Sequence, residues 1–269
     1  LALSVGNDTL FVDNKFTLSE NYENSLAASM EDIITTFQNI CCYSVYSHQN
    51  EIKNGFVTMG SGHRVGICGT AVSIHGEINS VRDISSLNIR IAREIPNASE
   101  ELLRRVGKLD GGLLIVGMPC SGKTTILRDL ARRISLGIDC RIMRTSVVDE
   151  RSELSGTYAG ISKNDLGLAD ILNGYSKADG IMQALRTLSP EAIICDEIGA
   201  SSDMQAIEQG INAGVSIIAT IHAGSYHELL SRNQGKALIG TGAFKTIVIL
   251  DSRENVGKIK ELIRLRGAK

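Results

Sequence analysis

The spacing of hydrophobic residues divides the chain into two parts with different patterns. In residues 1–107, apolar residues between Leu26 and Ile40 recur every three or four positions, which predicts an amphipathic helix. Two short apolar runs, 55–59 and 64–68, flank Gly60-Ser61-Gly62 and predict a β-hairpin. The remaining predicted elements of this part are a strand and a short Ser-capped helix, at 84–91 and 99–106. A small α+β N-terminal domain is therefore expected.

Residues 108–269 alternate apolar runs with helical patterns. Short apolar runs, typical of buried strands, span 113–116, 141–148, 192–195, 216–221 and 246–250. Helices are predicted over 123–134, 178–188 and 204–213. Strand–helix alternation of this kind indicates a mostly parallel sheet covered on both faces. The expected fold class is therefore α/β, with the second domain at 108–269.

The composition of the chain restricts which partners it is expected to bind and where it is expected to work. The 269 residues carry 28 Lys and Arg against 30 Asp and Glu, a formal net charge of −2. A protein whose main partner is nucleic acid usually has a strongly basic face, so nucleic acid is not expected here. The six cysteines form no CxxC pair, which favours reduced thiols in a cytoplasmic protein. No apolar run approaches the ~20 residues of a membrane-spanning helix.

One segment carries the strongest chemical signal. Residues 117–124 match GxxxxGK[ST], the P-loop or Walker A pattern, between a predicted strand and a predicted helix. Its glycines let successive N–H groups point at a phosphate, and the helix adds its positive N-terminal end. We expect Lys123 to contact the β- and γ-phosphates of ATP and the Thr124 hydroxyl to ligate Mg²⁺. The predicted nucleotide site comprises Gly117, Met118, Pro119, Cys120, Ser121, Gly122, Lys123, Thr124 and Thr125.

Acidic residues and a histidine follow three other predicted strands. Asp196 and Glu197 follow the run 192–195 in the manner of a Walker B motif, although such a pair alone can also be a turn or a cap. We assign Asp196 to Mg²⁺ and Glu197 to polarising the attacking water. Glu150 lies in the acidic segment after another strand. His222 ends the run 216–221, where an imidazole is expected near the γ-phosphate, although a lone histidine is more often only a satisfied polar residue.

These motifs, in this order, resemble the secretion ATPase superfamily of type II and type IV secretion and pilus motors. Residues 149–153 resemble its "Asp box", residues 184–191 its arginine-containing approach to Walker B, and His222 its "His box". The resemblance implies a RecA-like P-loop ATPase domain that hydrolyses ATP with Mg²⁺. It also gives Glu150 and His222 catalytic roles beside Lys123 and Glu197.

Arginines in the first part belong to the same resemblance. Residues 62–65 and 88–91 resemble N-terminal segments of the superfamily whose arginines reach the nucleotide, which makes Arg64 and Arg90 candidate catalytic residues. Arg82 and Arg93 also lack a matching acidic cluster. Such cations can approach a phosphate on the same or a neighbouring subunit. The alternative is a set of solvated or ion-paired arginines.

A narrower resemblance is to the stage III sporulation ATPases of endospore-forming bacteria. It is carried by residues 148–153, 174–178, 189–191 and 196–199. It implies a hexameric ring of this chain, cytoplasmic and peripheral to a membrane, docked on membrane-bound channel proteins of the sporulation complex. General secretion motors have Gly-Glu at Walker B and a proline in the Asp box, where this chain has Asp196-Glu197 and Arg151. Arg151 is therefore either an added phosphate contact or a structural ion-pair member.

Three other functions remain compatible with a P-loop. A RecA-like ATPase acting on single-stranded nucleic acid needs a basic groove with stacking aromatics, whereas aromatic residues are 4% of this chain. A small-molecule kinase needs a lid and an acceptor pocket, which the sequence does not locate. A nucleotide-regulated scaffold binds ATP with little turnover. Oxidation of Cys120, inside the P-loop, is a further hypothesis for control of nucleotide binding.

Overall fold

The computed structural model divides the chain into two compact units. It describes residues 1–5, 8–59, 63–74, 76–91, 95–109, 111–157 and 160–265. The first unit is Leu1–Met59 with His63–Ala92, and the second is Gly60–Gly62 with Arg93–Lys269. The division thus falls earlier than the predicted boundary near Gly107, because the helix at 100–106 packs its leucines into the core of the second unit.

In its described residues, the first unit contains two small antiparallel sheets and two α-helices. Its elements are β1 (Ala2–Val5), β2 (Asp8–Val12), β3 (Leu18–Ser19), α1 (Met30–Ile40), a 3₁₀ turn (Val45–His48), α2 (Gln49–Lys53), β4 (Phe56–Thr58), β5 (Arg64–Ile74) and β6 (Glu77–Arg90). The sheets have the orders β1-β2-β3 and β4-β5-β6. The predicted hairpin is present, since β4 and β5 pair antiparallel.

Helix α1 begins later than the hydrophobic spacing predicts. Ser29 caps it in a capping box, because the Ser29 hydroxyl accepts from the Asp32 amide at 3.1 Å and the Asp32 carboxylate accepts from the Ser29 amide at 2.8 Å. Leu26 therefore lies before the helix. Phe37 and Ile40 are buried in the small core of this unit, whereas Met30, on the same predicted stripe, is 54% exposed.

The second unit is built on a seven-stranded sheet. Its elements are α3 (Glu100–Val106), β7 (Leu113–Val116), α4 (Lys123–Leu136), β8 (Thr145–Asp149), β9 (Asp170–Asn173), α5 (Lys177–Thr187), β10 (Ala192–Cys195), α6 (Ser201–Asn212), β11 (Ser216–Ile221), α7 (Tyr226–Ser231), α8 (Asn233–Gly240), β12 (Thr246–Leu250), a 3₁₀ turn (Arg253–Asn255) and β13 (Ile259–Arg264). The strand order is β13-β12-β7-β11-β10-β8-β9. All neighbours pair parallel except β12 and β13, so the predicted mostly parallel α/β sheet is confirmed.

Successive residues of the central strands point into two separate cores. In β7, Leu113 and Ile115 face the core that contains α3 and α4, whereas Leu114 and Val116 face the core with α5, α6 and α8. Because both faces are buried, these strands are continuously apolar rather than alternating. The loops that follow β7, β8, β10 and β11 all leave the same carboxyl edge of the sheet, and the predicted site residues of this unit lie there.

Two predicted elements differ in detail. The strand expected from Arg141 begins only at Thr145, since Arg141 and Arg144 instead hold Glu191 through contacts of 3.0 and 3.1 Å. Ser99 precedes α3 but its side chain makes no capping hydrogen bond; instead the hydroxyl donates to the buried Asp129 carboxylate at 2.6 Å. All six cysteines lie in the described part and are free. None of the described helices has the length and hydrophobicity needed to cross a bilayer.

Candidate nucleotide site

The P-loop connects the buried strand β7 to helix α4. Its two glycines are places where a side chain does not fit: a Cβ on Gly117 would lie 2.3 Å from Ser121 Oγ, and one on Gly122 would lie 3.1 Å from Gly257 N. Gly122 also has a φ of 94°, in the left-handed region that favours glycine. The glycines of the motif are thus required by the loop's own geometry.

Lys123 is folded back into the loop. Its side chain is buried, and Nζ donates to the carbonyl oxygens of Gly117 and Met118, both at 3.0 Å. Its third contact is His222 Nδ1, also at 3.0 Å. Burial lowers the pKa of the Lys123 ammonium, and the nearby carboxylates of Asp196 and Glu197 oppose that shift. A desolvated cation with exchangeable partners is well suited to receive phosphate oxygens.

Thr124 and Asp196 meet across the sheet edge. The Thr124 hydroxyl donates to Asp196 Oδ2 at 2.6 Å. The other oxygen, Oδ1, accepts from the hydroxyl of Thr220 and from the Glu197 amide, the latter at 3.0 Å. Thr220 is fully buried in β11, which pairs with β10, and its hydroxyl also accepts from the Glu197 amide at 2.8 Å. The Asp196 carboxylate and the backbone of Glu197 are therefore held at fixed positions.

His222 connects Lys123 to Glu197. His222 Nε2 lies 2.6 Å from Glu197 Oε1, on the opposite side of the ring from the lysine contact. Because an ammonium can only donate, Nδ1 is the acceptor and Nε2 carries the proton donated to Glu197. The described geometry thus forms one hydrogen-bonded chain, Lys123–His222–Glu197. The carbonyl of His222 accepts in turn from Arg232 Nη1 at 2.7 Å, which anchors the segment after β11.

The loop after β8 lies next to the loop after β10. The buried Asp149 carboxylate accepts from the amides of Glu153 and Ser155 at 2.9 and 2.7 Å, and this fixes the turn. Glu150 is partly exposed and pairs with Lys177 Nζ at 2.5 Å. Arg151 Nη1 lies 4.0 Å from Glu197 Oε2. Glu150, Arg151, Lys177, Asp196 and Glu197 line a cavity of about 20 Å³, room for about one water.

A larger cleft adjoins the other side of the P-loop. Its volume is about 330 Å³, and it is bordered by Gly122 and Thr125, by residues 95–104 and by residues 256–258. Gly257 N donates to Ser121 O at 2.9 Å, so this last segment is tied to the P-loop. The cleft lies within the second unit and has mixed polar and apolar lining.

The residues at this site fit a phosphate group and Mg²⁺. Ser121 Oγ is buried without a hydrogen-bond partner among the described residues, and it lies in the cradle formed by Gly117. The Thr124 hydroxyl and the Asp196 carboxylate supply hard oxygen atoms beside it, the ligand type that Mg²⁺ prefers. Of the predicted site residues, the second unit brings together the P-loop, Asp196, Glu197 and His222, with Glu150 at the margin.

The predicted arginines belong to the first unit. Arg64 and Arg90 are directly opposite each other on β5 and β6. The Arg64 guanidinium lies over the Phe56 ring, 3.8 Å from its centroid, in a cation–π contact. Arg82 pairs with Asp83 at 3.3 Å, and Arg93 lies outside the described residues. Arg64 and Arg90 therefore form a local pair of cations, and their role at a nucleotide stays a prediction.

Four site residues were not predicted as such: Thr220, Lys177, Arg232 and Gly257. Thr220 carries a usable signal, since it is a polar residue among the apolar residues at the end of β11 and comes two positions before His222. The other three reach the site only through the packing of α5, α7 and the turn before β13, which no local pattern indicates.

Comparison with known proteins identifies the family. The family model described as "Sporulation stage III, protein AA" matches residues 1–269. The chain belongs to this family. It is 38% identical over 241 residues to the stage III sporulation protein AA of Bacillus subtilis, covering 88% of this chain and 78% of that protein. The narrower resemblance predicted from the sequence is thereby confirmed.

More distant similarities extend to named ATPases. The Holliday junction branch migration ATPase PINA of Sulfolobus acidocaldarius is 25% identical over 229 residues, which cover 80% of this chain and 41% of that protein. Among solved structures, the pilus retraction motor PilT with bound ADP has a TM-score of 0.56 at 16% identity, covering 92% of this chain and 72% of that one. The ATPase DotB of Legionella pneumophila has a TM-score of 0.53 at 13% identity, covering 92% and 70%. The predicted RecA-like P-loop fold is confirmed.

Proposed function

We propose that the chain is a Mg²⁺-dependent ATPase that works as an oligomeric motor of a sporulation complex. The observation that carries the proposal is the convergence of three strand ends: the P-loop after β7, Asp196 and Glu197 after β10, and His222 after β11, all within hydrogen-bond contact. The likeness of the fold to ATPases supports the same reading.

Each residue at the strand ends has a distinct proposed role. Residues 117–125, apart from Pro119, hold the phosphates through their backbone N–H groups, and Lys123 exchanges its carbonyl partners for phosphate oxygens. Thr124 and Asp196 hold Mg²⁺, which supplies charge neutralisation on the phosphates when bound. Glu197 polarises the attacking water. Glu150 borders the same small cavity and is proposed as a second catalytic carboxylate beside Glu197.

The hydrogen-bonded chain gives His222 a proposed role in orienting Glu197. As long as Lys123 donates to Nδ1, the ring is held with Nε2–H on Glu197, which engages one oxygen of the water-polarising carboxylate. When phosphate oxygens replace the Gly117 and Met118 carbonyls, the third donor of Lys123 stays on His222. The lysine that binds the phosphates is thus linked to the orientation of Glu197 through a single side chain.

Assembly and partners extend the proposal beyond a single chain. We expect a hexameric ring, in which Arg64 and Arg90 of the first unit supply positive charge to a nucleotide on the same or a neighbouring subunit. Membrane-bound channel proteins of the sporulation complex are the proposed partners, with the ring cytoplasmic and peripheral to the membrane. If Arg90→Ala leaves turnover unchanged at concentrations where the protein is oligomeric, the arginine role is wrong.

The test of the proposed function compares binding, turnover and mass. Wild-type protein with ATP and Mg²⁺ is expected to release phosphate, whereas Glu197→Gln is expected to bind ATP with similar affinity and to turn over at least ~100-fold more slowly. Mass measurement in solution, with and without ATP and Mg²⁺, tests assembly. Tight ATP binding with negligible wild-type turnover would instead identify a nucleotide-regulated scaffold.

The similarity to PINA favours one second candidate, an ATPase acting on nucleic acid. The formal charge of −2 and the scarcity of aromatic residues oppose it. Single-stranded and junction DNA, each added to the turnover assay across a salt series, separate the two functions. Stimulation that falls steeply with salt supports the nucleic-acid function, and an unchanged rate supports the motor of a protein channel.

A further inference from the structure

Arg151 occupies an unusual position at the edge of the sheet. Strands β8 and β10 are parallel neighbours in which Val148 is the register partner of Cys195. Arg151 follows β8 and Glu197 follows β10, so the two side chains leave adjacent strand ends on the same edge. Arg151 Nη1 lies 4.0 Å from Glu197 Oε2, whereas the adjacent acid, Glu150, pairs with Lys177.

The two carboxylate oxygens of Glu197 have different neighbours. His222 Nε2 lies 2.6 Å from Oε1, and the Arg151 guanidinium lies on the side of Oε2. A carboxylate that polarises water must present a lone pair in a defined direction, which requires that its rotation be restricted. A donor at one oxygen and a cation beside the other restrict that rotation from both sides.

The loop does not depend on Arg151 for its shape. Asp149 accepts from the amides of Glu153 and Ser155, and the Ser152 hydroxyl donates to Asn173 Oδ1 at 2.8 Å. The Arg151 side chain itself is 61% exposed, and an exposed ion pair contributes little to the free energy of unfolding. Removing its guanidinium therefore leaves the loop in place and changes mainly the surroundings of Glu197.

We infer that Arg151 is a positioning residue for Glu197, and that it acts on the hydrolysis step rather than on the binding of ATP. This inference rests on the proposed ATPase function. It differs from both roles that the sequence leaves open, since a phosphate contact in the ground state would act on ATP affinity and a structural ion pair would act on stability.

The experiment measures kcat and KM for MgATP in the full chain. Arg151→Gln is expected to lower kcat on the order of tenfold with KM within about twofold of wild type. Arg151→Lys keeps a positive charge and is expected to recover kcat to within about threefold. Arg141→Gln is the matched control, because it removes an exposed arginine that pairs with Glu191, before the start of β10. In this variant kcat and KM are both expected to stay at wild-type values.

The possible outcomes distinguish the role of Arg151 from the proposed ATPase function. A wild-type kcat in Arg151→Gln, while the wild type itself hydrolyses ATP, overturns the role of Arg151 and leaves the proposed function intact. A raised KM with unchanged kcat also overturns it, in favour of a ground-state phosphate contact. Failure of Arg151→Lys to recover any rate contradicts positioning by charge. If the wild type hydrolyses no ATP, the proposed function and this inference fall together.

Discussion

Thr220→Val tests whether the buried Thr220 hydroxyl fixes the positions of Asp196 and of the Glu197 backbone. The substitution keeps the shape of the side chain and removes the oxygen that donates to Asp196 and accepts from the Glu197 amide. A hydrogen bond to a charged group contributes about 1.5–3 kcal/mol and a neutral one about 1 kcal/mol. The Glu197 amide keeps its contact with Asp196 Oδ1, and Asp196 keeps Thr124, so we expect a net loss of about 2 kcal/mol.

The assay combines urea unfolding with turnover. Because the chain contains no Trp, unfolding is followed by circular dichroism. Thr220→Val is expected to lower the free energy of unfolding by about 2 kcal/mol and to raise the Mg²⁺ concentration needed for half-maximal turnover. Thr220→Ser, which keeps the hydroxyl, is expected to lose about 1 kcal/mol from the missing methyl group and to keep the wild-type Mg²⁺ dependence. If the valine variant matches wild type in both measurements, the hydroxyl does not organise the site.

Two substitutions and one labelling experiment test the core of the second unit. Asp129→Ala removes the buried carboxylate that pairs with the buried Arg133, whose other carboxylate partners, Asp139 and Glu100, are exposed, and it is expected to cost about 3–5 kcal/mol in urea unfolding; a loss below about 1 kcal/mol contradicts this. Burial raises the pKa of the Cys195 thiol to about 12, so maleimide at pH 8 is expected to label Cys195 only after unfolding, whereas the exposed Cys42, Cys68 and Cys120 are labelled in the folded chain; rapid labelling of Cys195 itself in the folded chain, located by peptide mapping, argues against its burial. Gly112→Ala would place a Cβ 2.0 Å from Ala243 O at a φ of 79°, and a cooperative transition at the wild-type urea midpoint would refute the close packing of this turn.

The central strands were predictable because burial on both faces leaves a plain signal. β7, β10, β11 and β12 have the bounds that their apolar runs predict, and α4 begins at the lysine of the P-loop motif. In these segments local propensity, the loop chemistry and the tertiary environment all favour the same structure. The order of the strands, by contrast, follows from the crossover connections and is known only from the structure.

Edge elements were missed because their patterns are weak. β13 carries two exposed residues, Lys260 and Glu261, next to one another, and β9 has only four residues, none of them fully buried. Helices α7 and α8 have six and eight residues and meet at Arg232, so neither fills the window of about 11 residues over which helical periodicity is recognised. For Ser99, a local capping rule predicted a cap, whereas its amide and hydroxyl both donate to a buried carboxylate 30 residues away, a contact that no local pattern indicates.

For the candidate site, the sequence predicted which residue types are present but not how they are connected. The contact of His222 with both Lys123 and Glu197 depends on β11 lying between β7 and β10, which no motif specifies. The same holds for Arg151, whose approach to Glu197 follows from the pairing of β8 with β10. Contacts between loops at a sheet edge are a property of strand order.

The most direct test of the account is a crystal structure of the chain with Mg²⁺ and a non-hydrolysable ATP analogue. We predict that the β- and γ-phosphates lie against the amides of residues 120–124 and that Lys123 contacts them instead of the Gly117 and Met118 carbonyls. Mg²⁺ is predicted beside Thr124 and Asp196. An analogue bound elsewhere, with Lys123 still on its two carbonyls, would contradict the proposed site and the function built on it.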